Sequence, residues 1–227
     1  MKNVNFLKRF AVFFVTAFVI SLTACTETSV KTANILSANQ TAVNTGNKTV
    51  PIKYDDKRTE IHHRLDPLIG EWNVEKTNTI VPGFSAEKPL VSKGTITCRR
   101  EWLEKAGFYY IKDETEGKFG NFDYYRLGIL GYSVPDDRFE LNTVDNFNPM
   151  MMTYKGEKGS GTANKEISIA GEYTDQGMLG EQFKGKTIGQ RTVFKIESND
   201  RHIIELYFTL PDEKEKLVDT MVYTRKK

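Results

Sequence analysis

About ten short alternating runs, separated by turn clusters, follow one another from Glu71 to Arg225, and that succession leaves few folds open. The runs are Glu71–Thr79, Thr95–Leu103, Phe108–Glu114, Tyr125–Val134, Arg138–Val144, Met150–Lys155, Glu166–Glu172, Gln190–Glu197, His202–Leu210 and Lys216–Arg225. Between them lie Pro135-Asp136-Asp137, Gly156 to Gly161, Gly185 to Gly189 and Ser198-Asn199-Asp200, the residues from which tight turns are made. Sequential strands joined by tight turns pair antiparallel, and so long a meander must close or stack to hide its edges. The expected fold is all-β: an antiparallel barrel of about ten strands, with a two-sheet sandwich as the alternative. One helix is expected before the strands, over one end of the barrel. In Arg58–Ile69, Ile61, Leu65 and Leu68 fall on one helical face, and Pro67 and Gly70 stop it early.

The segment ahead of this domain has a different character. Lys2, Lys8 and Arg9 precede an uncharged run, Phe10–Leu22, of 13 residues. That is short of the ~20 residues needed to cross a bilayer as a helix. Leu22-Thr23-Ala24-Cys25 then resembles the lipobox of bacterial lipoproteins. The resemblance implies cleavage after residue 24, diacylglyceryl transfer to the Cys25 sulfur, and acylation of the new amino terminus. At about 0.8 kcal/mol per buried methylene, two or three chains would hold the protein stably on a membrane. Thr26, where the sorting rule for inner-membrane retention has Asp, implies the outer membrane, facing the periplasm. Residues 25–57 are rich in Thr, Asn, Ser and Ala with no aromatic before Tyr54, and read as a disordered tether with a reach on the order of 30 Å. Residues 58–227 are left as one domain of ordinary size.

Charge follows from this division. The chain carries 32 basic and 30 acidic residues, and residues 1–24 hold three of the basic ones and no acid. The exported part is therefore near neutral and has no electrostatic footprint for nucleic acid. Of the two cysteines, acylation of Cys25 leaves Cys98 without an intrachain partner, so the core alone must hold the fold. Cys98, between Ile96 and Trp102 in a strand, reads as a buried inert thiol.

His62-His63-Arg64-Leu65-Asp66-Pro67-Leu68-Ile69-Gly70-Glu71-Trp72 resembles the opening of the DUF1579 family of bacterial proteins. Further matches follow in order: Gly94 with Arg99-Arg100, Leu130-Gly131-Tyr132 with Asp136-Asp137-Arg138-Phe139, Tyr154-Lys155-Gly156, Ile169-Ala170-Gly171, and Met221-Val222-Tyr223-Thr224-Arg225. Ser133 and Val134 intervene where the family usually has Asp after Gly-Tyr, which implies a longer turn. The resemblance implies a lipocalin-like barrel over the whole domain and assigns no activity.

Motifs for catalysis are lacking. Adjacent His62 and His63 point about 100° apart on a helix and cannot share a metal, and Gly159-Ser160-Gly161 lacks the strand–turn–helix setting of a nucleophile elbow. No cofactor motif is present, and no catalytic residue is assigned. Polar residues on apolar strand faces are more informative. Arg100 shares a face with Ile96 and Trp102, Arg126 with Leu130 and Tyr132, and His202 with Ile204, Leu206 and Phe208. Facing inward, such groups must be paired or meet a ligand; facing a rim, they are solvated. Met150 and Met152 point one way and Met151 the other, and suit either a variable ligand or an irregular core. Gly117–Asp123 is expected to be a hairpin loop exposing Phe119 and Phe122.

Three readings stay open. The first is a non-catalytic binder of a small, largely apolar ligand with an anionic group, held by Arg100, Trp102, Arg126, Tyr132, Met150, Met152 and His202. The second is an envelope interaction module with a packed core that works through surface loops. The third is a hydrolase-type enzyme using His202 with a nearby carboxylate.

Overall fold

The computed structural model describes residues 55–163 and 166–227; the expected signal peptide, Cys25 and the tether as far as residue 54 lie outside the described residues. The strands are β1 (Gly70–Asn78), β2 (Leu90–Trp102), β3 (Tyr110–Phe119), β4 (Phe122–Ser133), β5 (Arg138–Asp145), β6 (Met152–Lys155), β7 (Ile167–Thr174), β8 (Thr187–Ser198), β9 (Arg201–Thr209) and β10 (Lys216–Arg225). Each pairs antiparallel with its chain neighbours. β1 closes the ring against β10, from Trp72 opposite Arg225 to Asn78 opposite Asp219. The barrel thus wins over the sandwich, and no sheet edge is left open. All ten expected strands are present, β2 and β3 extending five residues beyond the alternating runs at one end.

Burial follows the alternation that predicts the strands. In β1, Trp72, Val74, Lys76 and Asn78 point inward, and in β3, Ile111, Asp113, Thr115 and Phe119 do so. Three irregularities break the period, and the one in β10 matters most for the interior. Leu217 pairs with Tyr207 and Asp219 with Leu206, leaving Val218 as an extra residue. Strict alternation from exposed Leu217 would turn Asp219 outward; the bulge turns it inward instead.

The expected helix is a 3-10 helix, His62–Leu68, in place of an α-helix over Arg58–Ile69. With three residues per turn the buried face is His62, Leu65 and Leu68, and Ile61 is only partly buried. This turn seals one end of the barrel. Trp72 Nε1 donates to the Leu68 carbonyl at 3.0 Å and Trp102 Nε1 to Asp66 at 3.1 Å. Arg225 stacks over the Trp72 ring at 4.2 Å and donates to the Ile69 and Pro67 carbonyls.

Two local expectations change. The strands β3 and β4 run on to a tight turn at Gly120 and Asn121, so Phe119 is buried and only Phe122 is exposed. The turn after β4 runs over residues 134–137, and the Tyr132 hydroxyl spans it by donating to Asp137 at 2.6 Å.

The thinnest seam lies between β6 and β7, which pair only at Tyr154–Gly171 and Lys155–Ala170. A Cβ at Gly171 would sit 2.3 Å from the Thr153 carbonyl oxygen and 2.9 Å from Tyr154 Cδ1, so the strands close only because that position has no side chain. Overpacking at such a site costs about 1–3 kcal/mol. Gly171→Ala is expected to lower unfolding stability by about 2 kcal/mol in urea titrations; an unchanged midpoint would show that the seam adapts freely.

Candidate functional site

Opposite the sealed end, the barrel holds a cavity of about 490 Å³ that reaches the loops between β1 and β2, β3 and β4, β5 and β6, and β7 and β8. Small-ligand sites span roughly 300–1,000 Å³. The wall is mostly apolar, with Leu141, Tyr154, Phe194, Ile204, Phe208 and Met221 among its residues, and Phe122 and Phe147 stand at the mouth. Polar groups enter it at a few places: Arg126 at the floor with Asp145 opposite it in register, Lys76, Asn78 and Asp219 on one side, Thr143, Gln190 and Thr192 on the other, and Asn146 and Asn148 from the β5–β6 loop.

The floor is built on Asp113. One carboxylate oxygen accepts from Arg100 Nε at 2.5 Å, and the other accepts from Arg126 Nη2 at 3.1 Å and the Thr115 hydroxyl at 3.2 Å. Burial alone would raise the Asp113 pKa, but the two guanidiniums prevail and hold it well below the usual carboxylate range. Burial likewise opposes the charge on Arg126, yet Asp113 and Tyr124 raise its pKa well above the ordinary value. Both arginines therefore stay charged and share one carboxylate, which leaves this buried cluster with one net positive charge. Arg126 Nε has no protein partner among the described residues.

Beneath the floor, Arg100 lies over the Tyr223 ring at 4.5 Å and donates from Nη1 to His202 Nε2 at 2.6 Å. An imidazole nitrogen that accepts from an arginine is unprotonated, so His202 is neutral with its hydrogen on Nδ1. It stacks on Tyr223 and meets Trp72 edge-on, both at 4.4 Å. Burial, reinforced by the Arg100 charge, lowers its pKa to about 2. Burial also pushes the Cys98 thiol up to about 11.

The expected site residues thus divide by layer. Arg126 and Met152 line the cavity. Arg100 and His202 lie one layer deeper, and neither is at a rim. Tyr132 and Trp102 belong to the sealed end, where His62 packs edge-on against Tyr132 at 5.3 Å. Met150 packs partly buried beside the core, and Met151 is 72% exposed. His63 pairs with Asp66 at the surface, and among the described residues no three His, Cys, Asp or Glu groups gather to hold a metal.

Alternation could have found two further residues. Asp113 follows Ile111 by two positions, and Lys76 follows Trp72 and Val74 by the same spacing. Asp219 is in phase with Met221 and Tyr223, and the β10 bulge hides it only when the strand is read from Leu217.

The family model described as "Protein of unknown function (DUF1579)" matches residues 57–225. The chain belongs to the DUF1579 family. No curated protein matches it. In this DUF1579 barrel six of the residues that carry the family resemblance lie at the sealed end and beneath the floor: His62, Leu65, Trp72, Arg100, Tyr132 and Arg225. Among the quoted motifs, Tyr154 and Met221 reach the cavity wall.

The buried histidines make stability depend on pH. Unfolded histidine takes its proton near pH 6.5, whereas folded His202 remains neutral to about pH 2. Below about pH 6.5 the unfolded chain binds more protons, so stability falls with pH, by at most about 1.4 kcal/mol per unit for each such group. His62, its pKa also lowered by burial, acts in the same direction. His202→Gln is expected to reduce this slope between about pH 6.5 and 5. An identical slope in denaturation curves would mean that the folded imidazole already carries a proton.

Proposed function

We propose that this barrel is a non-catalytic binding module that takes a small, largely apolar molecule into the cavity with an anionic group directed at Arg126. The observation that carries this reading is the Arg126 guanidinium at the floor of an apolar cavity: the Arg100–Asp113–Arg126 cluster holds two cations on one carboxylate, and Asp145, opposite Arg126 in register, accepts from the Phe147 and Asn148 backbone N–H groups instead. A buried charge without a partner is costly, and an anion arriving at Arg126 would neutralise it. The apolar wall would receive the rest of the molecule and supply the hydrophobic part of the affinity.

The test uses the chain from residue 26 onward, whose barrel closes within itself, titrated with a fluorescent medium-chain fatty acid and with the matching neutral alcohol. A hydrogen bond to a charged group contributes about 1.5–3 kcal/mol. Arg126→Met is expected to weaken the fatty acid by about tenfold or more and to leave the alcohol nearly unchanged. Asp113 keeps Arg100 and Thr115 as partners in that variant, so the barrel should stay folded. If neither probe binds and native mass spectrometry shows the purified chain empty, the reading fails.

The same proposal places the barrel on a membrane through acylated Cys25, on the periplasmic side of the outer membrane. Support comes from Leu22-Thr23-Ala24-Cys25 and from Thr26 beside it. Metabolic labelling with palmitate is expected to mark the wild-type chain and not Cys25→Ala. Equal labelling of both would exclude Cys25 as the acceptor.

A further inference from the structure

The cavity has a second polar station that an apolar acid would leave unused. Asp219 is 3% exposed and lies on the wall. One of its oxygens, Oδ2, accepts from Lys76 Nζ and from Asn78 Nδ2. The other, Oδ1, is buried and has no partner among the described residues. Asp219 is in phase with inward Met221 and Tyr223, and the bulge at Val218 breaks that phase from Leu217, from which alternation would have turned it to solvent. Bulges re-aim side chains in this way, and a bulge that buries a carboxylate oxygen without a donor raises the question of what completes it.

The surroundings limit the answer. Lys76, among the described residues the only cation paired with Asp219, already donates to Oδ2 and lies 5.1 Å from the Phe119 ring centre and 5.7 Å from that of Tyr124. The Lys76–Asp219 pair is therefore neutral as a whole. What it lacks is a single hydrogen-bond donor, and a second anion would be repelled from that oxygen. Arg126, two residues beyond Tyr124 on the same face of β4, has the opposite deficit: an unpartnered donor and excess positive charge. The floor of the cavity asks for an acceptor and one wall for a donor.

The geometry points to a ligand that carries both: an amphiphilic acid whose anion meets Arg126 and whose N–H or O–H, set back toward the tail, donates to Asp219 Oδ1. N-acylated amino acids are the simplest members of that class. The inference rests on the reading of the cavity as an amphiphile site and narrows it.

The test compares N-lauroyl conjugates of glycine, β-alanine and γ-aminobutyrate with their N-methyl counterparts, which keep the acid and the tail and lose only the donor. Binding to the chain from residue 26 onward is followed by calorimetry. At least one N–H conjugate is expected to bind about tenfold tighter than its N-methyl partner, and Asp219→Asn is expected to erase most of that preference. A preference that survives Asp219→Asn unchanged would be steric and would overturn the inference, as would equal binding throughout the series. If that variant unfolds, the lauroyl ester of the matching hydroxy acid, which replaces N–H by O without added bulk, decides: binding about tenfold weaker than the amide is expected, and equal binding overturns the inference. Failure of laurate and all its conjugates to bind would instead remove the amphiphile reading itself.

Discussion

The Asp113 carboxylate holds the inside of the barrel together. It sits between two arginines in an interior that would otherwise reject all three charges, and each of its oxygens is used. A buried ion pair seldom adds much net stability, but removing one partner is severe, at about 3–5 kcal/mol, because a charge is left uncompensated. Here the loss of Asp113 would strand two guanidiniums at once. The arrangement therefore fixes strand order and register: β2, β3 and β4 must present Arg100, Asp113 and Arg126 to the same point, and a slip of one residue would send them outward.

The same cluster divides the interior into two unlike halves. On one side Arg100, His202, Tyr223 and Trp72 pack ring against ring and guanidinium against ring, and the 3-10 turn closes over them through the Trp72 and Arg225 contacts. That half is filled by side chains, as in small solid barrels. On the other side the strands continue past the charge layer, and a cavity remains. His202 illustrates the consequence. Its imidazole accepts from an arginine, stays neutral and is walled off by Arg100, so it is a packing and hydrogen-bonding residue of the sealed half.

Most of the fold was legible in the sequence because alternation and turn residues report the pleat directly, and all ten strands appear where the runs lie. The helix was legible in place and not in period: Ile61, Leu65 and Leu68 fit 3.6 residues per turn, but Pro67 and the short span favour the tighter 3-10 geometry with His62 inward. Arg100, Arg126 and His202 were recognisable as inward polar groups. Which of them would touch a cavity was not, because depth along the barrel axis depends on stagger between strands, which no single strand records. Asp219 was ambiguous for a different reason. Counted from Met221 and Tyr223 it faces inward and counted from Leu217 outward, because Val218 is an extra residue. Trp102 and Tyr132 share strand faces with Arg100 and Arg126 but lie further along them, at the sealed end.

The position of the charge within the cavity bears on how a ligand would enter. Arg126 is at the floor, and the mouth is bordered by apolar groups such as Phe122, which is 61% exposed, and Phe147. An amphiphilic acid would then have to pass head first, giving up its hydration before it reaches the guanidinium. The attraction grows as it does so, because the low-dielectric wall screens the Arg126 charge less than water would. Salt should weaken such binding little compared with a surface site. A tail that fills the wall and ends at Phe122 and Phe147 would keep the apolar mouth covered, coupling ligand length to the exposure of that rim.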